Sequence, residues 1–368
     1  MRRWSESAPG EGDAGERSWE IVRRAYEERL PAPRAHRRRP FVLVAIAAAA
    51  LAAAFSPPGL AVWGSLRDAV RGEQNAKPAL FSLPTPHSRL LVNSAEGAWV
   101  VESDGSKRLL PGYRDASWSP HGLYIAAIHG DELRALEPDG DVHWSLARRG
   151  LRDPRWSFDG YRIAYFAGRS LRIVNGDGTG DHLLTRNVRP GVSAWQPARH
   201  VLAYVNRRGD VQIDNVDKHN RRSTVRSSAP RQLEWASDGL RFLAVERDRT
   251  TVFWQRGPRI GGLERGPARV TAASISPNGK HYAFVETDGT RSSLWLTGVL
   301  GGPTVRVFSG AGTFANVRWS PDGRWLLLDW PSADQWLFIR TPVKKLVAVS
   351  NIRANFGPAA HVVGWCCP

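Results

Sequence analysis

Cysteine and methionine are scarce in this chain of 368 residues. The two cysteines, Cys366 and Cys367, are adjacent, and Met1 is the single methionine. Two neighbouring cysteines supply neither a disulfide framework nor the paired CxxC ligands of a zinc site. A vicinal disulfide is conceivable in an oxidising compartment, but its ring is strained, and we expect a pair of free thiols on a terminal strand.

Lysine is also rare, so the positive net charge comes almost entirely from arginine. Lysine and arginine total 51 against 35 acidic residues, a formal charge of +16, yet only six of the 51 are lysines. A charge of this size would suit an acidic polymer or an anionic membrane surface. The arginine, alanine, glycine and proline bias of a GC-rich bacterial genome explains it equally, and the chain has no aromatic and basic ladder that would stack bases. We therefore do not expect a nucleic-acid partner.

Recognisable catalytic and metal-binding motifs are missing as well. The ten histidines are dispersed without an HExxH pair, and no GxSxG nucleophile elbow occurs. Two acidic, glycine-rich runs, Glu137 to Asp141 and Asn175 to Asp181, could suggest calcium loops, but both fall where hairpin tips are predicted. We expect no catalytic, metal or cofactor residues and no cofactor, and the sequence assigns no binding residues.

The first forty residues are polar and contain ten arginines. Within this tail, residues 16–30 form a candidate amphipathic helix, since Trp19, Val22, Tyr26 and Leu30 share one stripe and Pro31 follows. The helix could dock on a cytoplasmic regulator or the membrane surface. It could equally be a fraying tail, because it is short for an isolated helix in water.

An apolar segment follows at residues 41–63, with an uncharged run from Phe41 to Phe55 and Trp63 at its end. Twenty-three residues can cross a ~30 Å hydrocarbon layer. The arginines just before the segment place the N-terminus in the cytoplasm and the remainder outside. We predict an uncleaved signal-anchor of a single-pass cell-membrane protein, with a cleaved signal peptide as the alternative. Residues 64–86 are a predicted juxtamembrane linker.

A five-residue motif recurs through the rest of the chain. Its first residues are spaced by 38, 39, 40, 40, 44 and 46 positions. A period near forty in a strand-rich chain predicts four-stranded propeller blades. The copies begin at Trp118, Trp156, Trp195, Trp235, Ile275, Trp319 and Trp365.

The motif Trp319-Ser-Pro-Asp-Gly323 has the chemistry of a structural joint. Pro321 presets φ at the second turn position. Gly323 accepts the positive φ that lets the strand after the turn pair with the strand before it. Trp319 would be a wedge between neighbouring blades. A β-rich segment apolar on both faces follows each copy, such as 162–166 or 241–245, as expected for strands buried between sheets.

These Trp-Ser-Pro-Asp-Gly units followed by strands like Ile163-Ala-Tyr165 resemble the WD40-like repeats of TolB-type β-propellers. The resemblance covers residues 87–368 and implies an all-β propeller. His361-Val-Val-Gly-Trp365 is a motif strand with no blade after it, whereas the first blade has no motif strand before it. If the C-terminal strand completes the first blade, the ring has seven blades; six, as in TolB, is the alternative.

The function expected from this organisation is a membrane-anchored, extracytoplasmic propeller that binds a protein or cell-envelope component without catalysis. The rival hypothesis is a propeller enzyme of the hydrolase or lyase type, because propellers can gather catalytic residues around the central channel without a local motif. A channel mouth with converging carboxylates or histidines would favour catalysis.

Overall fold

The computed structural model describes residues 82–367 except 219, 247–248, 257–258, 266–269 and 342–344. The predicted tail with its helix at 16–30, the membrane segment at 41–63 and the linker as far as residue 81 lie outside the described residues. Among the residues that are described, no helix is long and apolar enough to cross a bilayer.

In the described part of the chain, twenty-eight strands form seven four-stranded sheets. The strands of the first four sheets, apart from one contributed by the C-terminus, are β1 (Arg89–Asn93), β2 (Gly97–Val101), β3 (Lys107–Pro111), β4 (Tyr113–Trp118), β5 (Ile125–His129), β6 (Glu132–Leu136), β7 (Val142–Ala147), β8 (Leu151–Trp156), β9 (Arg162–Ala167), β10 (Ser170–Asn175), β11 (His182–Thr185), β12 (Val188–Trp195), β13 (Val201–Asn206), β14 (Val211–Asn215) and β15 (Asn220–Val225).

The remaining strands build sheets five to seven and end with the strand that returns to the first sheet. They are β16 (Gln232–Trp235), β17 (Arg241–Val245), β18 (Thr250–Arg256), β19 (Arg259–Arg265), β20 (Val270–Ile275), β21 (His281–Thr287), β22 (Arg291–Gly298), β23 (Val305–Ala311), β24 (Asn316–Trp319), β25 (Trp325–Trp330), β26 (Gln335–Arg340), β27 (Leu346–Ser350) and β28 (His361–Cys366). A short helix, α1 (Ile352–Phe356), lies between β27 and β28.

Each sheet is an antiparallel blade whose motif strand is at one edge, as in the order β4-β5-β6-β7. We name the four strands of a blade A to D, starting from the motif strand. Because the strands alternate in direction, the A–B and C–D turns lie at one end of every blade, which we call the turn face. The B–C hairpins and the D–A connections lie at the other end, the hairpin face.

The ring closes as predicted, with seven blades. Strand β28 pairs antiparallel with β1, so that Trp365 lies opposite Leu90 and Gly364 opposite Leu91. The first blade therefore has the order β28-β1-β2-β3, and the motif strand missing from its sequence comes from the C-terminus. The six-bladed alternative is wrong.

The hydrophobic core is divided among the seven spaces between neighbouring blades. Seven separate clusters of buried apolar side chains occupy these spaces. The B strand is apolar on both faces because it contributes to two clusters: in β25, Leu327 packs toward the first blade and Leu328 toward the sixth. Leu83, before the first strand, is also buried in the cluster that joins the last blade to the first.

Candidate functional site

The motif tryptophans lie between neighbouring blades, as the wedge hypothesis predicted. In three blades the indole Nε1 donates to the main-chain carbonyl of the residue that precedes the motif in the previous blade. These bonds run from Trp195 to Arg155 at 2.9 Å, from Trp235 to Ala194 at 3.2 Å and from Trp319 to Ser274 at 3.2 Å. The repeated tryptophan therefore has a structural role in these blades.

The motif turn is held by its own side chains. The hydroxyl of Ser320 donates to Asp322 Oδ1 at 2.5 Å and accepts from the Trp325 amide at 2.9 Å. Gly323 has φ of +67°, the left-handed value for which glycine is favoured. The side chains of Ser320 and Asp322 thus bond within the turn, which identifies it as a joint between strands A and B.

Blade four departs from this pattern, as its sequence Trp195-Gln-Pro-Ala-Arg199 predicted. Without a glycine at the last position, the positive φ moves to Ala198, at +57°. Gln196, which replaces the motif serine, donates from Nε2 to the Gly239 carbonyl of blade five at 2.5 Å. The altered turn therefore still connects its blade to the next one.

A cavity of about 580 Å³ lies among the A strands and reaches the turn face. We call it the channel cavity. Residues of the A strands of blades two, three, four, five and seven line it, together with Pro120, Phe158 and Pro197 from three A–B turns. Its charged lining residues are three arginines and one glutamate, which gives the lining a formal charge of +2: Arg155, Arg231, Glu234 and Arg318.

Three of these charged residues occupy the same place in their repeats, directly before the first motif residue. They are Arg155 in blade three, Glu234 in blade five and Arg318 in blade seven. The other four blades carry small residues there, Ser117, Ala194, Ser274 and Gly364. Charge in the channel is therefore placed at a repeat position whose residue type varies from blade to blade.

Glu234 is held by two polar neighbours. Its Oε1 accepts from Ser274 Oγ at 2.8 Å, and its Oε2 accepts from Gln232 Nε2 at 3.1 Å. Burial raises the pKa of Glu234, while the nearby Arg318 and these hydrogen bonds act in the opposite direction. The glutamate is therefore oriented by the wall of the channel.

Arg318 is anchored at one edge of its guanidinium. Its Nε donates to the Val362 carbonyl of the closing strand at 3.2 Å, beside a 3.0 Å bond from Asn316 to the same carbonyl. Burial lowers the pKa of Arg318; Glu234 opposes this shift and Arg155 adds to it. Within the described residues, the Arg155 guanidinium makes no hydrogen bond or ion pair, although it lies within electrostatic range of Arg318 and Asp153.

Three buried polar atoms of residues that line the cavity have no hydrogen-bond partner within the described part of the chain. They are the indole Nε1 of Trp118 and of Trp156 and the Oγ of Ser193. In blades four, five and seven the equivalent indole donates to a carbonyl. A buried donor without a partner costs about 1–3 kcal/mol, so blades two and three lack a stabilising bond that blades four, five and seven have.

The turn face also carries the exposed apolar side chains. All eight large hydrophobic residues that are exposed in the described ranges lie in A–B turns, in C–D turns or at the strand ends beside them. They are Val142, Phe158, Tyr161, Leu240, Trp254, Leu300, Val305 and Leu346. Leu300, in the C–D turn of blade six, is the most exposed at 78 %.

The acidic, glycine-rich runs lie at C–D hairpin tips, where turn chemistry was predicted. The Thr179 amide donates to Asp177 Oδ1 at 2.9 Å, and the Asp141 amide donates to Asp139 Oδ1 at 3.1 Å. No group of three or more histidine, cysteine, aspartate or glutamate residues in the described ranges is placed to hold a metal ion. These runs therefore serve as turns.

One histidine cluster could not be found from sequence spacing. His200 Nε2 is 2.5 Å from Asp159 Oδ2, and its Nδ1 contacts Asp217. Asp217 in turn pairs with Arg162 at 2.6 Å, so the cluster joins blades three and four outside the channel. Asp217 and Asp159 are 17 and 41 residues from His200 along the chain, and only the contact between blades brings the cluster together.

The expectation of free thiols at Cys366 and Cys367 is wrong, since the structure joins them in a vicinal disulfide. The disulfide lies against the blade-two motif turn. A Cβ added to Gly122 would be 2.5 Å from Cys367 Sγ and 2.7 Å from Cys366 Sγ. The glycine of this turn is thus also required by the close approach of the closing strand.

Comparisons with solved structures show the propeller fold. Hsv2 from Kluyveromyces lactis is 15% identical, with 72% of this chain and 94% of that chain covered and a TM-score of 0.53. A putative 6-phosphogluconolactonase from Bacteroides uniformis is 12% identical over 76% and 98% of the chains, with a TM-score of 0.54. The β-propeller domain of Cps50 (Swd1) from Myceliophteria thermophila is 12% identical over 65% and 87%, with a TM-score of 0.50.

These identities are too low to carry more than the fold. No family model matches the chain, and no curated protein matches it in sequence. The seven-bladed propeller is therefore established, while the resemblance to TolB-type propellers stays a prediction from the motif.

Proposed function

We propose that this chain is a non-catalytic binding module whose turn face docks a protein partner. The observation that carries this proposal is the position of the eight exposed hydrophobic side chains, all of which belong to the face that the channel cavity reaches. Single exposed apolar residues are ordinary on protein surfaces, but their restriction to one face around a cavity is typical of an interaction surface.

The lining of the channel cavity supports binding over the hydrolase or lyase alternative. General acid–base chemistry on a substrate usually needs two titratable groups within reach of the reacting atoms. Among the described residues that line the cavity, Glu234 is the one carboxylate and no histidine is present. Ser274 and Gln232 in the cavity wall orient Glu234 through hydrogen bonds. Neither side chain supplies the second titratable acid or base.

We propose further that the propeller is held outside a bacterial membrane by the segment at residues 41–63, with the N-terminus in the cytoplasm. The apolar length of that segment and the arginines before it support this arrangement. The partner would then be a protein or another cell-envelope component, and the tail around residues 16–30 could reach a cytoplasmic regulator.

Site-specific crosslinking in cells tests the docking face. A photoreactive phenylalanine analogue is placed at Leu240 or Leu300 on the turn face and, as a matched control, at Arg169 or Thr290 on the hairpin face. We expect a discrete crosslinked partner from the turn-face positions alone. Crosslinks from the hairpin face alone, or from neither face, would contradict the proposal.

Topology is tested separately, with alkaline phosphatase fused after residue 86. We expect activity, since this enzyme is active only outside the cytoplasm. An inactive fusion that is present at normal abundance would refute the extracytoplasmic propeller. A fusion after residue 40 is the control, for which we expect no activity.

A further inference from the structure

The channel cavity has more positive charge than its own residues neutralise. Three arginines and one glutamate line it, and Glu234 is the single anion available to them there. Arg155 and Arg318 approach from blades three and seven, on opposite sides of the ring, closely enough for each to affect the other. Two like charges in a partly desolvated channel repel each other unless an anion lies between them.

Few groups of the protein neutralise the positive charge of Arg155. Asp153 is on the same strand and within electrostatic range, but it does not line the cavity and forms no ion pair with Arg155. Arg318 bonds through Nε to the Val362 carbonyl, which leaves the outer edge of its guanidinium for another partner. A guanidinium edge with two parallel N–H groups matches the two oxygens of a carboxylate.

We propose that the channel cavity binds a carboxylate group, held between Arg155 and Arg318. The aromatic walls and the fixed charge of Glu234 favour a singly charged, weakly hydrated anion over a phosphate dianion, whose desolvation costs more. The carboxylate can come from a free small molecule or from an acidic side chain of the protein docked on the turn face. The second source rests on the proposed function, whereas the first does not.

Binding measurements on the full-length protein test this site. The probes are butyrate, inorganic phosphate and a blocked peptide with one glutamate between leucines, titrated by calorimetry at low salt. We expect butyrate or the peptide to bind and phosphate to bind more weakly. Tighter binding of the peptide identifies a protein segment as the source, and tighter binding of butyrate identifies a small molecule.

Three variants assign the binding to the channel. Arg155→Gln should weaken carboxylate binding about tenfold or more, because it removes a charge-assisted contact without breaking a bond within the protein. Glu234→Gln should strengthen binding, because it removes the competing anion. Arg324→Gln, an exposed arginine of the blade-seven A–B turn, is the matched control and should leave the affinity unchanged.

Failure of this site is distinguishable from failure of the proposed function. Absence of carboxylate binding, equal binding to wild type and Arg155→Gln, or preferential binding of phosphate would each overturn the carboxylate site. Crosslinking from Leu240 and Leu300 would still support the docking face in all of these cases.

Discussion

The two faces of the propeller are built from the same repeat yet differ in chemistry. The turn face carries all eight exposed large hydrophobic residues of the described chain and borders the channel cavity. The hairpin face carries none of them and instead exposes arginines in blades two to four, Arg149, Arg169, Arg186, Arg207 and Arg208. Because the joints that repeat are structural, the difference between the faces comes from residues that vary between copies.

Opening the ring should have the largest effect, because both faces depend on its closure. Deletion of residues 361–368 removes β28, the A strand of the first blade, and exposes the clusters on both of its sides. We expect cooperative thermal unfolding to be lost. Deletion of residues 367–368 alone, which keeps β28, is the control, and an unchanged melting transition in the longer deletion would contradict closure by this strand.

A buried carboxyl near the hairpin face should make stability depend on pH. Asp329, in β25, is 3% exposed, and burial raises its pKa to about 7. Since the folded-state pKa is above the ordinary value of 3.8, folding favours the protonated form. Stability from this group is therefore present below about pH 4 and is lost as the pH rises through about 7.

The variant Asp329→Asn should remove that dependence. At pH 8 we expect its free energy of unfolding to be about 4 kcal/mol higher than that of the wild type, since each pKa unit corresponds to about 1.4 kcal/mol. At pH 4 the two proteins should be similar. Chemical denaturation at both pH values measures the difference, and a wild-type stability that does not fall between them would contradict the raised pKa.

Alanine substitution at two glycines with similar φ angles compares how tightly the chain is packed at the two faces. Gly239, in a motif turn on the turn face, has φ of +64°, and a Cβ there would be 2.9 Å from the Pro197 carbonyl oxygen of the previous blade. Gly168, in a B–C hairpin, has φ of +58°, and a Cβ there would meet nothing within 4 Å. Alanine should therefore cost about 1 kcal/mol at Gly168 and about 2 kcal/mol or more at Gly239.

Denaturant unfolding of both alanine variants measures this comparison. The backbone strain is common to the two positions, so the difference between them reports the contact between blades. Equal destabilisation would show that the motif turn is no tighter a joint than an isolated hairpin.

Substitutions of exposed residues should affect stability least and binding most. Leu300→Ser and Leu240→Ser on the turn face should change the free energy of unfolding by less than about 0.5 kcal/mol, as is usual for surface positions. They should nevertheless reduce crosslinking to the partner. The paired change Arg207→Gln and Arg208→Gln on the hairpin face should alter neither quantity, and a loss of crosslinking there would reverse the assignment of the faces.

Much of the fold could be predicted because the repeat is local. The B strands predicted at 162–166 and 241–245 occur at Arg162–Ala167 and Arg241–Val245. The motif tryptophan, turn and positive-φ glycine also occur as predicted, since each depends on residues within a few positions of one another. Closure by β28 followed from counting incomplete units at the two ends of the repeat region.

The candidate site could not be predicted in the same way. About two repeats separate Arg155 from Glu234, and about two more separate Glu234 from Arg318. The residues next to each of them form no recognisable binding or catalytic motif. A useful signal was present, because all three directly precede the first motif residue, a position that is small in the other blades. Its significance depends on knowing that this position contributes to the channel.

The sequence by itself determined the repeat, the strands and the turn chemistry, because these follow from hydrophobic pattern and backbone preference over short distances, and it favoured seven blades over six. Only the tertiary structure decided which varied residues meet. Closing seven blades into a ring brings A strands that are distant in sequence around one channel and aligns their ends on common faces. That closure brings the arginines and the glutamate together in the channel cavity, and it brings the exposed hydrophobic side chains together on the turn face.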